Sequence, residues 1–179
     1  MNKLNTKKLT LLALFSALVF VFSAFLQIPI ATPFGQTRFH LGNALCLMAG
    51  ILMTPVSGGL ASGLGSVIFD LTNPLYFSSA PFTFINKFAM GYVTGLIYHK
   101  SRKKNKKTMA IAGALGQITY IILYLGKNFI KSRFLLDLSI QAAMTELVQK
   151  GSVSLFNGVI SVIFAVILAS VLKDKVKYK

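Results

Sequence analysis

Residues 9–26 and 153–172 contain no charged side chain. These two runs restrict the chain more than any other feature, because a helix needs about 20 mostly apolar residues to cross the hydrocarbon core of a bilayer. Composition points the same way. The chain is 54% apolar and 13% charged, whereas soluble domains carry about 25% charged residues. The expected architecture is all-α: a single membrane domain over residues 1–179, built as a bundle of six transmembrane helices with both termini cytoplasmic. Breakers and apolar runs place the helices at about 8–26, 39–53, 56–71, 82–98, 108–126 and 151–172. Pro29 and Pro33 stop the first helix and open a loop over 30–38. Pro55 suits the first turn of the third helix, where its missing N–H leaves nothing unpaired. Asn73-Pro74 and Ala80-Pro81 mark the loop over 72–81. Helices 2 and 3 are short and joined by a tight, uncharged turn, so a single re-entrant hairpin is the alternative there.

The net charge is +15, a value that also occurs in nucleic-acid-binding proteins, but its distribution argues for a membrane. Thirteen of the 19 Lys and Arg form three clusters: Lys3, Lys7 and Lys8; Lys100, Arg102, Lys103, Lys104, Lys106 and Lys107; and Lys173, Lys175, Lys177 and Lys179. Each abuts an apolar run, as the positive-inside rule requires of cytoplasmic segments. Four helices separate the first cluster from the second and two separate the second from the third, so all three fall on one face. Nucleic acid is not an expected partner; the lipid bilayer is. The N-terminus has the Lys-then-apolar order of a signal peptide. Its apolar run exceeds the usual 7–15 residues and no small-x-small cleavage site follows closely, so it reads as a retained helix. Cys46 is the one cysteine, which excludes an intrachain disulfide and suits an inert packing residue.

Ionisable side chains within a membrane are costly and are functional-site candidates by default. Arg38, His40 and Asn43 open helix 2, Asp70 closes helix 3, and Asn86 and Lys87 lie early in helix 4. Gln117 and Tyr120 share helix 5, Glu146 falls in the last outer loop, and Asn157 lies early in helix 6. On the expected topology nearly all occupy the outer half of the bilayer. Their convergence suits a pocket open to the outside, with Asn73 and Tyr76 in the loop above and apolar walls from Phe34, Phe39, Tyr76, Phe77, Phe82 and Phe84. A small-molecule site is mostly apolar with a few placed polar groups. Other roles stand beside this one. Arg38 and Lys87 can snorkel to headgroups. Asp70 can pair with Lys87 across helices 3 and 4. Asn43, Gln117 and Asn157 can serve as interhelical glue. The small-xxx-small pairs of helix 3, Gly59 with Gly63 and Ala61 with Gly65, suit close packing inside the bundle, and Ala13 with Ala17 in helix 1 suits either internal packing or an external partner.

Signs of catalysis are absent from the motifs. The sequence contains no Gly-x-Ser-x-Gly, HExxH, CxxC or Walker-type loop, and His40 and His99 are expected at opposite faces. No metal site and no cofactor are expected in this chain, and any ATP-driven activity requires a partner.

Residues 7–18, with Ala13-x-x-x-Ala17, resemble the opening helix of the substrate-binding S components of energy-coupling factor (ECF) transporters. Thr37-Arg-Phe-His-Leu-Gly-Asn43, the Gly- and Pro-punctuated hairpin after it, Phe69-Asp70-Leu71 and Phe84-Ile-Asn-Lys-Phe88 are similar to the riboflavin-type branch. The resemblance covers nearly the whole chain. It implies a non-enzymatic subunit of an ECF-type ABC importer in a prokaryotic cell membrane. Such a subunit captures a vitamin or precursor (riboflavin, pyridoxine, hydroxymethylpyrimidine or similar) at the outer face. Its partners would be a membrane scaffold subunit, contacted through Ala13 and Ala17, and two ATPase subunits that hold ATP and Mg. A stand-alone carrier or channel is the competing reading. It wants polar residues lining a path to both faces, and the inner halves of helices 1 and 6 offer only Ser and Thr. An intramembrane enzyme acting on lipid would need clustered catalytic groups, which the separated histidines do not provide.

Overall fold

A computed structural model describes residues 6–32 and 35–176. Six helices form a bundle: α1 (Thr6–Phe25), α2 (Gly42–Leu52), α3 (Pro55–Thr72), α4 (Ala80–Lys100), α5 (Lys106–Ile130) and α6 (Ile140–Leu172). By length and composition, α1, α5 with its continuation to Leu135, and α6 are long and apolar enough to cross a membrane. Their outward faces carry large apolar side chains such as Leu14, Ile122, Phe156, Val159 and Val171, all more than 40% exposed. Water would not tolerate so continuous an apolar surface, but lipid does.

All eleven residues of α2 are buried. At 1.5 Å per residue this helix is only about 16 Å long, too short to span the bilayer alone, and it serves as the central post of the bundle. Thr54 caps α3 by accepting a hydrogen bond from the Ser57 amide at 3.4 Å, and Pro55 takes the first turn, so the chain reverses sharply between α2 and α3. The glycines of α3 face inward. A Cβ on Gly65 would lie 2.7 Å from Val19 Cβ of α1, and one on Gly91 of α4 would lie 2.7 Å from the Gly58 carbonyl oxygen. Those distances require glycine, because packing in lipid depends on close backbone approach. The small residues of α3 therefore act within the bundle.

Three boundaries differ from the sequence expectation. The segment read as a loop before helix 2 is an antiparallel hairpin, β1 (Gln27–Thr32) with β2 (Gly35–His40). Arg38 and His40 thus belong to a strand and not to helix 2. Second, α5 runs on to Ile130 and continues through a π-turn, Lys131–Leu135. Third, α6 begins at Ile140 and not near 151. Ser139 caps it by accepting from the Ala142 amide at 3.2 Å, and Glu146 lies on this helix and not in a loop. Phe34, Lys3, Lys177 and Lys179 lie outside the described residues.

Candidate functional site

The hairpin sends its two faces to different places. Alternate side chains of a strand point to opposite faces. Arg38 and His40 line a cavity enclosed by the bundle, while Ile28, Ile30 and Phe39 meet Phe156 and Ile160 of α6 in an apolar groove. The Arg38 guanidinium lies over the paired rings of Phe69 and Tyr76, 3.8 Å from the Phe69 ring centre and 4.7 Å from that of Tyr76. It donates to Gln27 Oε1 at 3.0 Å and forms an ion pair with Asp70 Oδ1 at 3.8 Å. Arg38, and not Lys87, is thus the ion-pair partner of Asp70, because the hairpin folds over the end of α3. Lys87 is 4% exposed. Its ammonium donates to Asn43 Oδ1 and lies 3.9 Å from the centre of the Tyr120 ring. Asn43 in turn donates to Gln117 Oε1 at 3.5 Å.

On the opposite wall, Lys150 is 7% exposed. It donates to Glu146 Oε1 at 2.5 Å, one turn before it on α6, and to Asn128 Oδ1 of α5 at 2.9 Å. Ser132, in the π-turn, donates to the second Glu146 oxygen. Lys127 of α5 reaches across the mouth to Ser79 Oγ at 3.1 Å.

Between these walls lies a cavity of about 540 Å³. The C-terminal end of α3, the N-terminal end of α4, the C-terminal half of α5 and the N-terminal half of α6 all meet there, with the hairpin alongside. Of the side chains proposed from sequence, Arg38, His40, Asp70, Tyr76, Asn86, Lys87, Tyr120 and Asn157 line it. Asn43 and Gln117 sit behind Lys87, and Glu146 sits behind Lys150. Asn73 instead accepts the Leu75 amide at 3.1 Å. Phe84 stacks near Phe88 and packs against Gly63, which takes it out of the cavity. Of the aromatic walls expected from sequence, Tyr76 lines the cavity, and the rest of the aromatic lining is Tyr120 and Tyr124, which stack at 5.6 Å between ring centres. Phe77 and Phe82 are exposed, and Phe39 faces α6.

The expectation from sequence missed Thr37, Thr83, Tyr124, Asn128 and Ser154, which also line the cavity, and it placed Lys127, Lys131 and Lys150 only in the outer loops, as a positive excess that would suit an anionic ligand, where the structure makes them part of the lining. The signal existed. Tyr120, Tyr124 and Asn128 recur every four residues, the spacing of one helix face, but α5 was expected to end before the stripe did. Likewise Glu146 and Lys150 have the i,i+4 spacing of a helical ion pair.

Two lining groups, His40 Nδ1 and Asn157 Oδ1, are buried without a hydrogen-bond partner, as is Gln117 Nε2 behind them. Buried polar atoms are ordinarily satisfied, so these three stand out among the polar groups in and behind the cavity wall. Among the described residues no three His, Cys, Asp or Glu side chains are grouped to hold a metal ion. His99 is remote from the cavity, its Nε2 being 2.6 Å from the Met53 carbonyl oxygen. Ala13 and Ala17 lie on the exposed face of α1, opposite its buried face of Phe15, Ser16 and Val19.

The family profile described as "ECF-type riboflavin transporter, S component" matches residues 3–174. No curated protein sequence matches the chain. Among solved structures, the chain is similar to that titled "Crystal structure of FolT bound with folic acid", with a TM-score of 0.63 and 22% sequence identity, over 94% of this chain and 98% of that one. At that identity the likeness concerns the fold.

Proposed function

Because the chain belongs to the S components of ECF-type riboflavin transporters, we propose that the cavity at the hairpin end of its bundle is where it captures its vitamin. As an S component it is the substrate-binding subunit of an ECF-type vitamin importer, a multi-pass membrane protein and not an enzyme. The observation that carries the assignment of the site is the cavity itself: about 540 Å³, lined by three tyrosines and by His40 and Asn157 with unsatisfied polar atoms. Stacking faces and a few hydrogen-bonding groups are what a vitamin-sized heteroaromatic ring requires. Riboflavin, pyridoxine and hydroxymethylpyrimidine are candidates of that description. The folic acid bound by the structurally similar protein belongs to the same broad class.

The binding residues we assign are Arg38, His40, Asp70, Tyr76, Asn86, Lys87, Tyr120 and Asn157, with Asn43, Gln117 and Glu146 supporting them from behind. In our reading the six-helix bundle spans the membrane of a prokaryotic cell, with the short, buried α2 crossing only part of its thickness inside the bundle. The basic loop of residues 100–107 and both termini face the cytoplasm, because clusters of Lys and Arg are retained there. The cavity, at the other end of α4 and α5, then opens outward. A membrane scaffold subunit and two ATPases complete the importer, and ATP and Mg act in the ATPases. Ala13 and Ala17, small and outward-facing on α1, leave a shallow strip where a scaffold helix can approach closely.

Two experiments test the reading. Ligand retained through mild detergent purification is identified by mass spectrometry and titrated calorimetrically against the full chain. Tyr120→Ala and Asn157→Ala are each expected to weaken its binding about tenfold to a hundredfold, the effect of losing one buried contact of 1–3 kcal/mol. Unchanged affinity in both would move the site elsewhere. Ala13→Trp combined with Ala17→Trp is expected to abolish uptake and scaffold co-purification while ligand binding persists, and normal scaffold binding would reject the α1 interface.

A further inference from the structure

The cavity is lined by five cationic side chains, Arg38, Lys87, Lys127, Lys131 and Lys150, and by one carboxylate, Asp70. Two of the cations have their counter-charge within the protein: Arg38 pairs with Asp70 and Lys150 with Glu146. Lys87 does not. It is the most deeply buried of the five, and its contacts among the described residues are a neutral amide oxygen, Asn43 Oδ1, and the face of the Tyr120 ring. Among the described residues no carboxylate lies within ion-pair distance of it. Charges at membrane depth pair with one another or with backbone carbonyls, and a buried charge without a partner costs several kcal/mol. Lys87 is too enclosed to snorkel to headgroups, yet it lines the cavity. Asp70, the one carboxylate lining the cavity, acts on Lys87 only from beyond ion-pair distance and is paired with Arg38, so the place for a closer counter-charge is the cavity itself.

We infer that the ligand carries an anionic oxygen group, a carboxylate or a phosphate, which neutralises Lys87 between the amide of Asn43 and the ring of Tyr120. Lys127 and Lys131, nearer the mouth and likewise in no ion pair among the described residues, add a field that draws an anion inward. The inference rests on the cavity being the vitamin site. It goes further in choosing an anionic vitamin or vitamin phosphate over a neutral vitamin.

The test uses the purified full chain in detergent and matched probes that differ in charge: riboflavin against riboflavin 5′-phosphate, pyridoxine against pyridoxal 5′-phosphate, and folic acid as the carboxylate. The anionic member of at least one pair, or folic acid, is expected to bind at least tenfold more tightly than the neutral vitamins, with an affinity that falls as salt is raised. Lys87→Gln, which keeps a donor for Asn43, is expected to erase that preference. Phosphate probes and folic acid separate the two kinds of anion. Tighter binding of neutral members, or no binding by any anionic probe, overturns the inference. If neutral members bind and Tyr120→Ala weakens them, the cavity reading survives alone; if neither Tyr120→Ala nor Asn157→Ala affects any probe, the cavity reading itself fails. A ligand-free measurement provides an independent check. Relief of an uncompensated charge makes Lys87→Gln melt at a higher temperature than the parent protein, and a lower melting temperature overturns the inference.

Discussion

Two lysines face the same cavity from opposite walls, and each is held by an asparagine. Lys150, on the α5–α6 wall, has Asn128 and also Glu146, which a third group, Ser132, holds in place. Lys87, on the α2–α4 wall, has Asn43 and an aromatic face but no carboxylate. Both are less than a tenth exposed. The contrast separates structure from function within one site. A lysine whose charge is balanced one turn away on its own helix joins two helices and asks nothing of a ligand. A lysine balanced only by dipoles is stable when something else completes it.

The largest expected effect breaks the balanced wall. Glu146→Gln leaves Lys150 buried without a counter-charge and should lower the unfolding free energy of the ligand-free protein by about 3–5 kcal/mol. Adding Lys150→Met should recover most of it in a thermal melt, and a double mutant as unstable as the single one would mean that Glu146 stabilises through Ser132 instead.

A smaller effect sharpens the contrast. Among the described residues the Asn43 oxygen is the one hydrogen-bond acceptor for Lys87, whereas Asn128 shares Lys150 with a carboxylate. Asn43→Ala should cost about 1.5–3 kcal/mol, the range for a hydrogen bond to a charged group. Asn128→Ala, where the carboxylate remains, should cost about 1 kcal/mol. Denaturant or thermal melts of the two variants side by side give the comparison, and equal losses would remove the distinction between the walls.

The two ends of the bundle differ in a related way. Near the basic loop, Met53, Met109, Ala112, Ala165 and Ala169 are fully buried and close the interior with apolar atoms. At the hairpin end the interior is instead a cavity lined by long polar side chains such as Arg38, Lys87 and Lys150. A cavity at one end and apolar packing at the other is what a subunit that captures a ligand requires.

How much of this was legible depended on how local the cause was. The charge-free runs of α1 and α6, the Pro55 start of α3 and the breakers before α4 are properties of contiguous residues, and the helices formed where those signals lay. The hairpin was harder to read. Pro29 and Pro33 read as breakers, yet Pro29 tolerates an edge strand because it needs no ladder donor there, and it pairs opposite Arg38. The alternation of Arg38, Phe39 and His40 was present as a strand signal but short. The early start of α6 was obscured by Glu146 and Lys150, which look too polar for a span until their i,i+4 pairing is recognised.

The sequence by itself determined that the chain is a membrane helix bundle, because hydrocarbon solvent sets the length and charge of every span. It also determined that the scarce polar residues gather near one end, because helix order and breaker positions fix their depth. The i,i+4 spacing of Glu146 and Lys150 already offered their pairing, but which partners Asp70 and Lys87 take was decided only by the tertiary structure. Asp70 goes to Arg38, Glu146 goes to Lys150, and Lys87 is left with Asn43 and Tyr120. Pairing acts over a few ångströms, and the groups it joins here lie on the hairpin, α2, α3, α4, α5 and α6, whose rotation about their own axes is set by packing and not by any local stretch of sequence.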